Sequence, residues 1–253
     1  MMKITFLGTG TSAGVPELGC RCGVCHSTDP KDKRTRSSLL IQNNNQNVII
    51  DCGPDFRQQA IRENLYHIDA VILTHSHFDH IDGLEELRPI TKETGMPIWC
   101  ESYVAEQIRM RLHYCFSNLP KGFAANMNLI NFQIDSSFKV CDMEFLPIRM
   151  LHHKLPVAGF RFGEIAYMTD FTEIDSKELN KLIGVEILII EALRPYPHIA
   201  HISLPQALEY IELIKPQRSY LIHMNHQFGL HEDIQKTLPE NVIIAYDGLS
   251  FEV

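Results

Sequence analysis

Thr74-His75-Ser76-His77-Phe78-Asp79-His80-Ile81-Asp82-Gly83 sets three histidines and an aspartate within six positions, in the pattern His-x-His-x-Asp-His. Ahead of it runs Ala70-Val71-Ile72-Leu73, a short apolar run that reads as a buried strand. The cluster therefore sits where a strand hands over to a loop, the place where a rigid scaffold presents functional groups. Imidazole and carboxylate are ligands that first-row divalent metals accept. His75 and His77 are two apart, so an extended backbone points both to one side. Asp79 and His80 follow one turn later and suit a second ion. A polar surface loop rich in histidine by chance seldom has this spacing behind a buried strand.

Upstream, Gln46 to Ile50 and Ser37 to Ile41 read as a hairpin joined by Asn43-Asn44-Asn45. The second strand ends in Asp51, which either hydrogen-bonds the neighbouring histidine loop or caps its own turn. Asp55 to Asn64 reads as a helix. Further back, Gly19-Cys20-Arg21-Cys22-Gly23-Val24-Cys25-His26 places three thiols in Cys-x-Cys-x-x-Cys spacing. Thiolates this close suit a tetrahedral structural zinc that still needs a fourth ligand. His26 adjoins Cys25 too closely to close a tetrahedron, so a distant histidine is expected. Lys3 to Leu7 reads as a first strand. It ends in Gly8-Thr9-Gly10-Thr11-Ser12-Ala13-Gly14, a tight turn or a weak candidate for a phosphate cradle.

Downstream, helices are expected at Leu84 to Thr91 and Ser102 to Leu112, with a strand at Met96 to Cys100 between them. Residues 113–126 read as irregular. Met127 to Ile134, Phe138 to Cys141 and Met143 to Met150 read as antiparallel strands, and Leu151-His152-His153 follows. A second hairpin, Phe160 to Phe162 and Ile165 to Met168, ends in Thr169-Asp170. A helix at Ser176 to Ile183 precedes the buried strand Val185 to Ile190 and then Glu191. His198 and His201 lie in the next loop, and Ser203 reads as the N-cap of a helix from Leu204 to Ile214. Arg218 to Ile222 is a strand before His223-Met224-Asn225-His226. His226 can turn the other way from His223, toward the cysteines. A helix at Glu232 to Leu238 and strands at Val242 to Tyr246 and Leu249 to Glu252 follow. Strands and helices recur in both halves without a linker, so one α/β domain over 1–253 is expected, two sheets flanked by helices.

The chain has 253 residues and a formal net charge of −8, which argues against a large nucleic acid as the main partner. No apolar run approaches the ~20 residues needed to span a bilayer. Seven cysteines, an odd number, fit a reduced cytoplasmic protein with a metal site better than a disulfide scaffold.

His75-x-His77-x-Asp79-His80 followed by Asp82-Gly83 resembles the signature of the metallo-β-lactamase superfamily. The resemblance implies an αβ/βα four-layer sandwich of two mixed sheets and a site for two divalent ions (Zn, Mn or Fe). It implies His75, His77, Asp79, His80, His152, Asp170 and His223 as ligands, with Asp170 as the bridge and His153 as the fallback for His152. Gly8 to Pro16, the Cys20/Cys22/Cys25 trio and His223-x-x-His226-Gln227-Phe228 are similar to the subgroup of phosphoribosyl 1,2-cyclic phosphate phosphodiesterase. There the trio and the second histidine, here His226, hold a structural Zn. The implied activity is metal-assisted hydrolysis of a small phosphodiester. In it Asp79 is a catalytic ligand, and His201, charged through Glu191, is the general acid. The helix N-terminus beyond His201 is expected to favour a phosphate anion. Glu191 stands where this subgroup is expected to carry aspartate, and Glu191 with His201 is similar to the pair of tRNA 3′-processing endonucleases. A thioester or lactone hydrolase and a non-catalytic zinc-stabilised module are the other readings. The expected partner is a small-molecule phosphodiester rather than a membrane or nucleic acid. Pairing as a homodimer is left open.

Overall fold

The computed structural model describes residues 1–91, 94–120 and 122–253. One sheet is built from β1 (Met2–Gly8), β2 (Ser38–Asn43), β3 (Gln46–Ile50), β4 (Ala70–Ile72), β5 (Met96–Cys100) and β6 (Met127–Asn131). The other takes β7 (Phe138–Val140), β8 (Met143–His152), β9 (Leu155–Phe162), β10 (Ile165–Met168), β11 (Glu173–Ile174), β12 (Ile187–Glu191), β13 (Arg218–Ile222) and β14 (Val242–Ile244). The last strand, β15 (Ser250–Glu252), returns to the first sheet and pairs with β1. The orders are β15-β1-β2-β3-β4-β5-β6 and β11-β8-β9-β10-β12-β13-β14, with β7 on β8.

The strands are apolar on both faces because both faces are covered. Along β3, Val48 and Ile50 enter the core between the sheets while Ile49 faces outward. In β12, Ile187 and Ile189 point in, and Leu188 and Ile190 point out. The outward face of the first sheet packs on α2 (Phe56–Arg62), α3 (Phe78–Ile81) and α4 (Ser102–Arg111) through Phe56, Ile81, Val104 and Ile108. That of the second packs on α6 (Leu204–Ile214) through Ala207 and Ile211. Three apolar layers separate four layers of structure, which is the expected mixed two-sheet sandwich.

Several elements differ from the sequence reading. Met127–Asn131 does not join an antiparallel set; it lies parallel to β5 at the edge of the first sheet. Leu84–Ile90 is a 3-10 helix with Pro89 inside it. The helix expected at Ser176 to Ile183 splits into α5 (Ser176–Leu179) and a 3-10 turn, Asn180–Leu182. The last helix, α7, covers His231–Gln235. Within 113–126, His113–Phe116 forms a 3-10 turn, and Lys121 lies outside the described residues. The cysteine loop contains a helical turn, α1 (Gly23–His26), capped by the Cys22 side chain.

Candidate metal centre

Strand ends of both sheets meet over one buried cluster. Asp51 follows β3, Asp170 follows β10 and His223 follows β13, and all three have left-handed backbones, with φ of 64°, 55° and 58°. Non-glycine residues adopt this conformation at a cost and concentrate where function requires it. The turn aims each side chain across the edge of its sheet instead of along it.

Asp79, His80, Asp170 and His223 offer ligand atoms within 4.8 Å of one another, all buried. The two carboxylate oxygens of Asp170 divide the site. Oδ1 lies 3.3 Å from His80 Nε2 and 3.2 Å from His223 Nε2. Oδ2 faces the other way, 4.0 Å from His75 Nε2. The His75 ring stands 4.7 Å from that of His77 and 5.9 Å from that of His152, and His77 and His152 are 5.0 Å apart, centroid to centroid. The seven sequence-predicted ligands thus fall into two groups with Asp170 between them. His152 is buried and its Nδ1 lies 2.6 Å from the Ala200 carbonyl oxygen. The fallback His153 is exposed, in the left-handed turn between β8 and β9.

Inside the cluster, His75 Nε2, Asp79 Oδ2, His80 Nε2 and His223 Nε2 are buried without a hydrogen-bond partner. Buried polar atoms are costly unless paired. Four of them converging beside Asp170 fit a cation-binding set. The charges agree with this. Burial works against the charged carboxylates, but His223 and His80 outweigh it for Asp170, and His80 and His223 do so for Asp79. Both acids lie far below the usual range. Burial pushes His75, His77 and His152 down, which favours the neutral form a metal needs.

Asp51 supports the cluster from below. Its Oδ2 is 2.6 Å from His80 Nδ1, and it accepts from the Thr74 N–H and hydroxyl. This is the carboxylate–histidine arrangement that orients a metal ligand. The backbone of Gly53 approaches α3 so closely that a Cβ on Gly53 would meet the Asp79 carbonyl oxygen, and one on Gly83 would meet that of Gly53.

Glu191, at the end of β12, is fully buried. One oxygen accepts from Phe171 N–H at 2.5 Å; the other is 2.9 Å from His201 Nδ1 and 3.7 Å from His223 Nδ1. The His201 ring lies 5.0 Å from His223 and 4.6 Å from His152. The expected contact between Glu191 and His201 is thus present; burial lowers His201, and burial together with Asp170 raises Glu191 well above its usual range. The His198 ring lies 5.3 Å from that of His201, tilted by 31°.

The two anion cradles suggested by the sequence are partly or wholly used within the protein. In the glycine-rich turn, Thr9 N–H donates to Asp247, Gly10 N–H to the Thr35 carbonyl and Thr11 N–H to the Met224 carbonyl. At the start of α6, Leu204 N–H donates to the Arg194 carbonyl, Pro205 has no N–H, and Ser203 and Gln206 close a capping box. The helix N-terminus is therefore satisfied within the protein, and the phosphate-binding role expected for it falls away.

A second cluster lies beside the first. Cys20, Cys22, Cys25 and His226 also bring ligand atoms within 4.8 Å of one another. His226 Nδ1 is 3.0 Å from Cys20 Sγ and 3.5 Å from the other two sulfurs. The Cys25 backbone N–H, foremost, lowers Cys22 to about 6, while burial pushes Cys25 up to about 11.

The Beta-lactamase superfamily domain matches residues 46–224. The chain belongs to this superfamily. A diphosphatase from the PhnP family has a crystal structure that superposes on the β-lactamase-type chain with a TM-score of 0.92, at 34% identity, covering 99% of this chain and 96% of that one. Zn(2+)-bound PqqB from Methylobacterium extorquens superposes with a TM-score of 0.81 at 16% identity over 99% of this chain and all of that one, a likeness of fold alone. A Porphyromonas gingivalis protein called octanoyltransferase is 41% identical over 250 residues, 98% of this chain but 51% of its own length. The chain thus spans about half of that curated relative. With these relatives and this donor set, the protein is a metal-dependent hydrolase of the metallo-β-lactamase fold. No helix among the described residues is long and apolar enough to cross a membrane.

Proposed function

We propose that this hydrolase cleaves a small phosphodiester, such as phosphoribosyl 1,2-cyclic phosphate, at a site for two divalent ions, with a separate structural zinc on the cysteines. The observation that carries the reading is the split of Asp170. One oxygen faces Asp79, His80 and His223, and the other faces His75 beside His77 and His152. Such paired ions would activate a water and neutralise charge on the phosphoryl oxygens. The 34% identity to a PhnP-family diphosphatase supports phosphoryl chemistry.

The chain's own groups supply the rest. His75, His77 and His152 would hold one ion, and Asp79, His80 and His223 the other, while Asp51 fixes the His80 ring. Glu191 holds His201 by Nδ1, which leaves Nε2 to meet the leaving oxygen. The substrate's negative charge would favour a proton taken up from solvent on His201 Nε2, which then passes to the leaving oxygen.

Purified protein loaded with Zn, Mn or Fe should hydrolyse bis(4-nitrophenyl) phosphate and ribosyl cyclic phosphates, and a chelator should stop it. A second reading, thioester hydrolysis, is favoured by the octanoyltransferase name of the Porphyromonas gingivalis relative. Turnover of octanoyl thioesters without phosphodiester turnover would replace the first reading by the second.

A further inference from the structure

Asp51 and Thr74 lie beneath the metal cluster, both fully buried, and together they reach ligands on both sides of it. The Asp51 carboxylate accepts from the Thr74 N–H at 2.9 Å and lies 2.6 Å from His80 Nδ1. It also accepts from the Thr74 hydroxyl, whose oxygen is 2.9 and 3.1 Å from the two carboxylate oxygens. The same hydroxyl has a second neighbour, His75 Nδ1, at 2.9 Å.

The protons along this chain can be assigned. An ionised carboxylate only accepts, and a hydroxyl has a single proton to give. Thr74 gives that proton to Asp51, so its oxygen meets His75 as an acceptor. His75 then carries its proton on Nδ1 and keeps its lone pair on Nε2. A hydroxyl alone would not force this, because it can as well donate to the ring. His80 is set the same way by direct contact with Asp51. The far nitrogens agree. His75 Nε2 and His80 Nε2 are both buried without a partner, 4.0 Å and 3.3 Å from the two different oxygens of Asp170.

The backbone of Thr74 is held independently of its hydroxyl. Its N–H is on Asp51, and its carbonyl accepts from the Ala158 N–H of β9 at 3.0 Å. Removing the hydroxyl leaves both of these bonds in place and takes away the acceptor for His75.

Resting on the two-ion reading of the site, we propose that Thr74 is a positioning residue that relays Asp51 to His75. One buried carboxylate thereby fixes a ligand of each ion, His80 directly and His75 through the hydroxyl. The two halves of the centre share a single anchor below, as they share Asp170 between them.

The test reads metal retention. Zinc-loaded protein is dialysed against buffers of graded free zinc, and the zinc per chain is measured. Wild type should hold two ions at the cluster besides any on the cysteines. In Thr74→Val one cluster ion should be lost at about 10–100-fold higher free zinc than in wild type, the range for removing the support of a ligand. Anomalous scattering from crystals should place that loss at His75, His77 and His152, with the ion at Asp79, His80 and His223 kept. Thr74→Ser, which keeps the hydroxyl, should retain both ions, and Asp51→Asn should weaken both. Equal weakening of both ions by Thr74→Val, or loss of an ion in Thr74→Ser as well, would make Thr74 a support of the loop and overturn the relay. Unchanged retention in Thr74→Val would overturn it too. A second measurement needs no variant: long-range proton–nitrogen NMR of zinc-loaded wild type should show His75 and His80 both protonated on Nδ1, and a proton on Nε2 of His75 would sink the proposal. If wild type holds two cluster ions and these results fail, this inference fails alone. If it holds fewer than two, the two-ion reading fails and takes this one with it.

Discussion

His223 and His226 are three residues apart, yet they serve two clusters of opposite build. The first cluster is drawn from the ends of strands in both sheets, and His75, Asp79, His80, Asp170 and His223 are nearly inaccessible. The second hangs on a loop, with Cys22 exposed, Cys20 intermediate and only Cys25 buried. The first has unpartnered nitrogens and a carboxylate facing two ways. In the second, three sulfurs and one imidazole make a closed donor set with no place for substrate. The difference teaches that a set of ligands becomes a candidate reaction site where the fold leaves polar atoms without a partner. The segment 223–226 physically ties the cysteine set to it.

The comparison breaks most sharply at His75. His75→Ala should drop hydrolysis to background while the fold, measured by circular dichroism and melting, persists. Wild-type activity in that variant would mean that the split of Asp170 is not a two-ion site. The next effect belongs to His201→Ala, which should cost about 10²–10⁴-fold in kcat on a substrate with a poor leaving group. On a nitrophenyl ester, whose leaving group needs little protonation, the loss should be much smaller. Equal losses would assign His201 to binding or support.

The closed cluster should respond in stability first. On the proposed reading, His226→Ala should strip a zinc from the cysteines, read by metal analysis after dialysis, while the proposed catalytic ions stay bound. A loss of ~2 kcal/mol would lower Tm by about 4–8 °C in a chain of this size. Activity should fall by about tenfold through His223, as for an outer support of a ligand. A variant with full zinc content and unchanged Tm would uncouple His226 from the cysteines.

The smallest effect concerns the polar girder under the cysteine loop. Ser27 donates to Asp32, which accepts from the His231 N–H, and His231 Nδ1 lies 3.4 Å from a buried Arg34 nitrogen. Burial, then Arg34 and Lys31, push His231 from 6.5 down to about 4. Its folded pKa is depressed, so the neutral ring contributes stability that is present above 6.5 and lost as pH falls toward about 4. His231→Phe should flatten this part of the acid limb in urea unfolding between about pH 7 and pH 4. An unchanged slope would show that carboxylates alone set it.

The chemistry was legible from the chain itself because metal ligation depends on residue type and spacing. The His75 to His80 motif follows a strand whose period is local, and the cysteine trio lies within six positions. Buried strands show as apolar runs, and Pro and Ser mark the start of α6. What needed the tertiary structure was every property that depends on where distant strand ends meet. The partners of Met127–Asn131 and Ser250–Glu252 are set by sheets assembled from far apart in the chain. That His152 faces the cluster and His153 faces solvent follows from a tight turn at the end of β8. The division of Asp170's two oxygens comes from a left-handed backbone at residue 170, which no local pattern announces. Whether a loop or a helix N-terminus can take an anion depends on which acceptors already occupy its N–H groups. Those acceptors, Asp247, Met224 and Arg194, reach their donors only after folding. Sequence specifies the donors, and the packed fold decides which of them remain free.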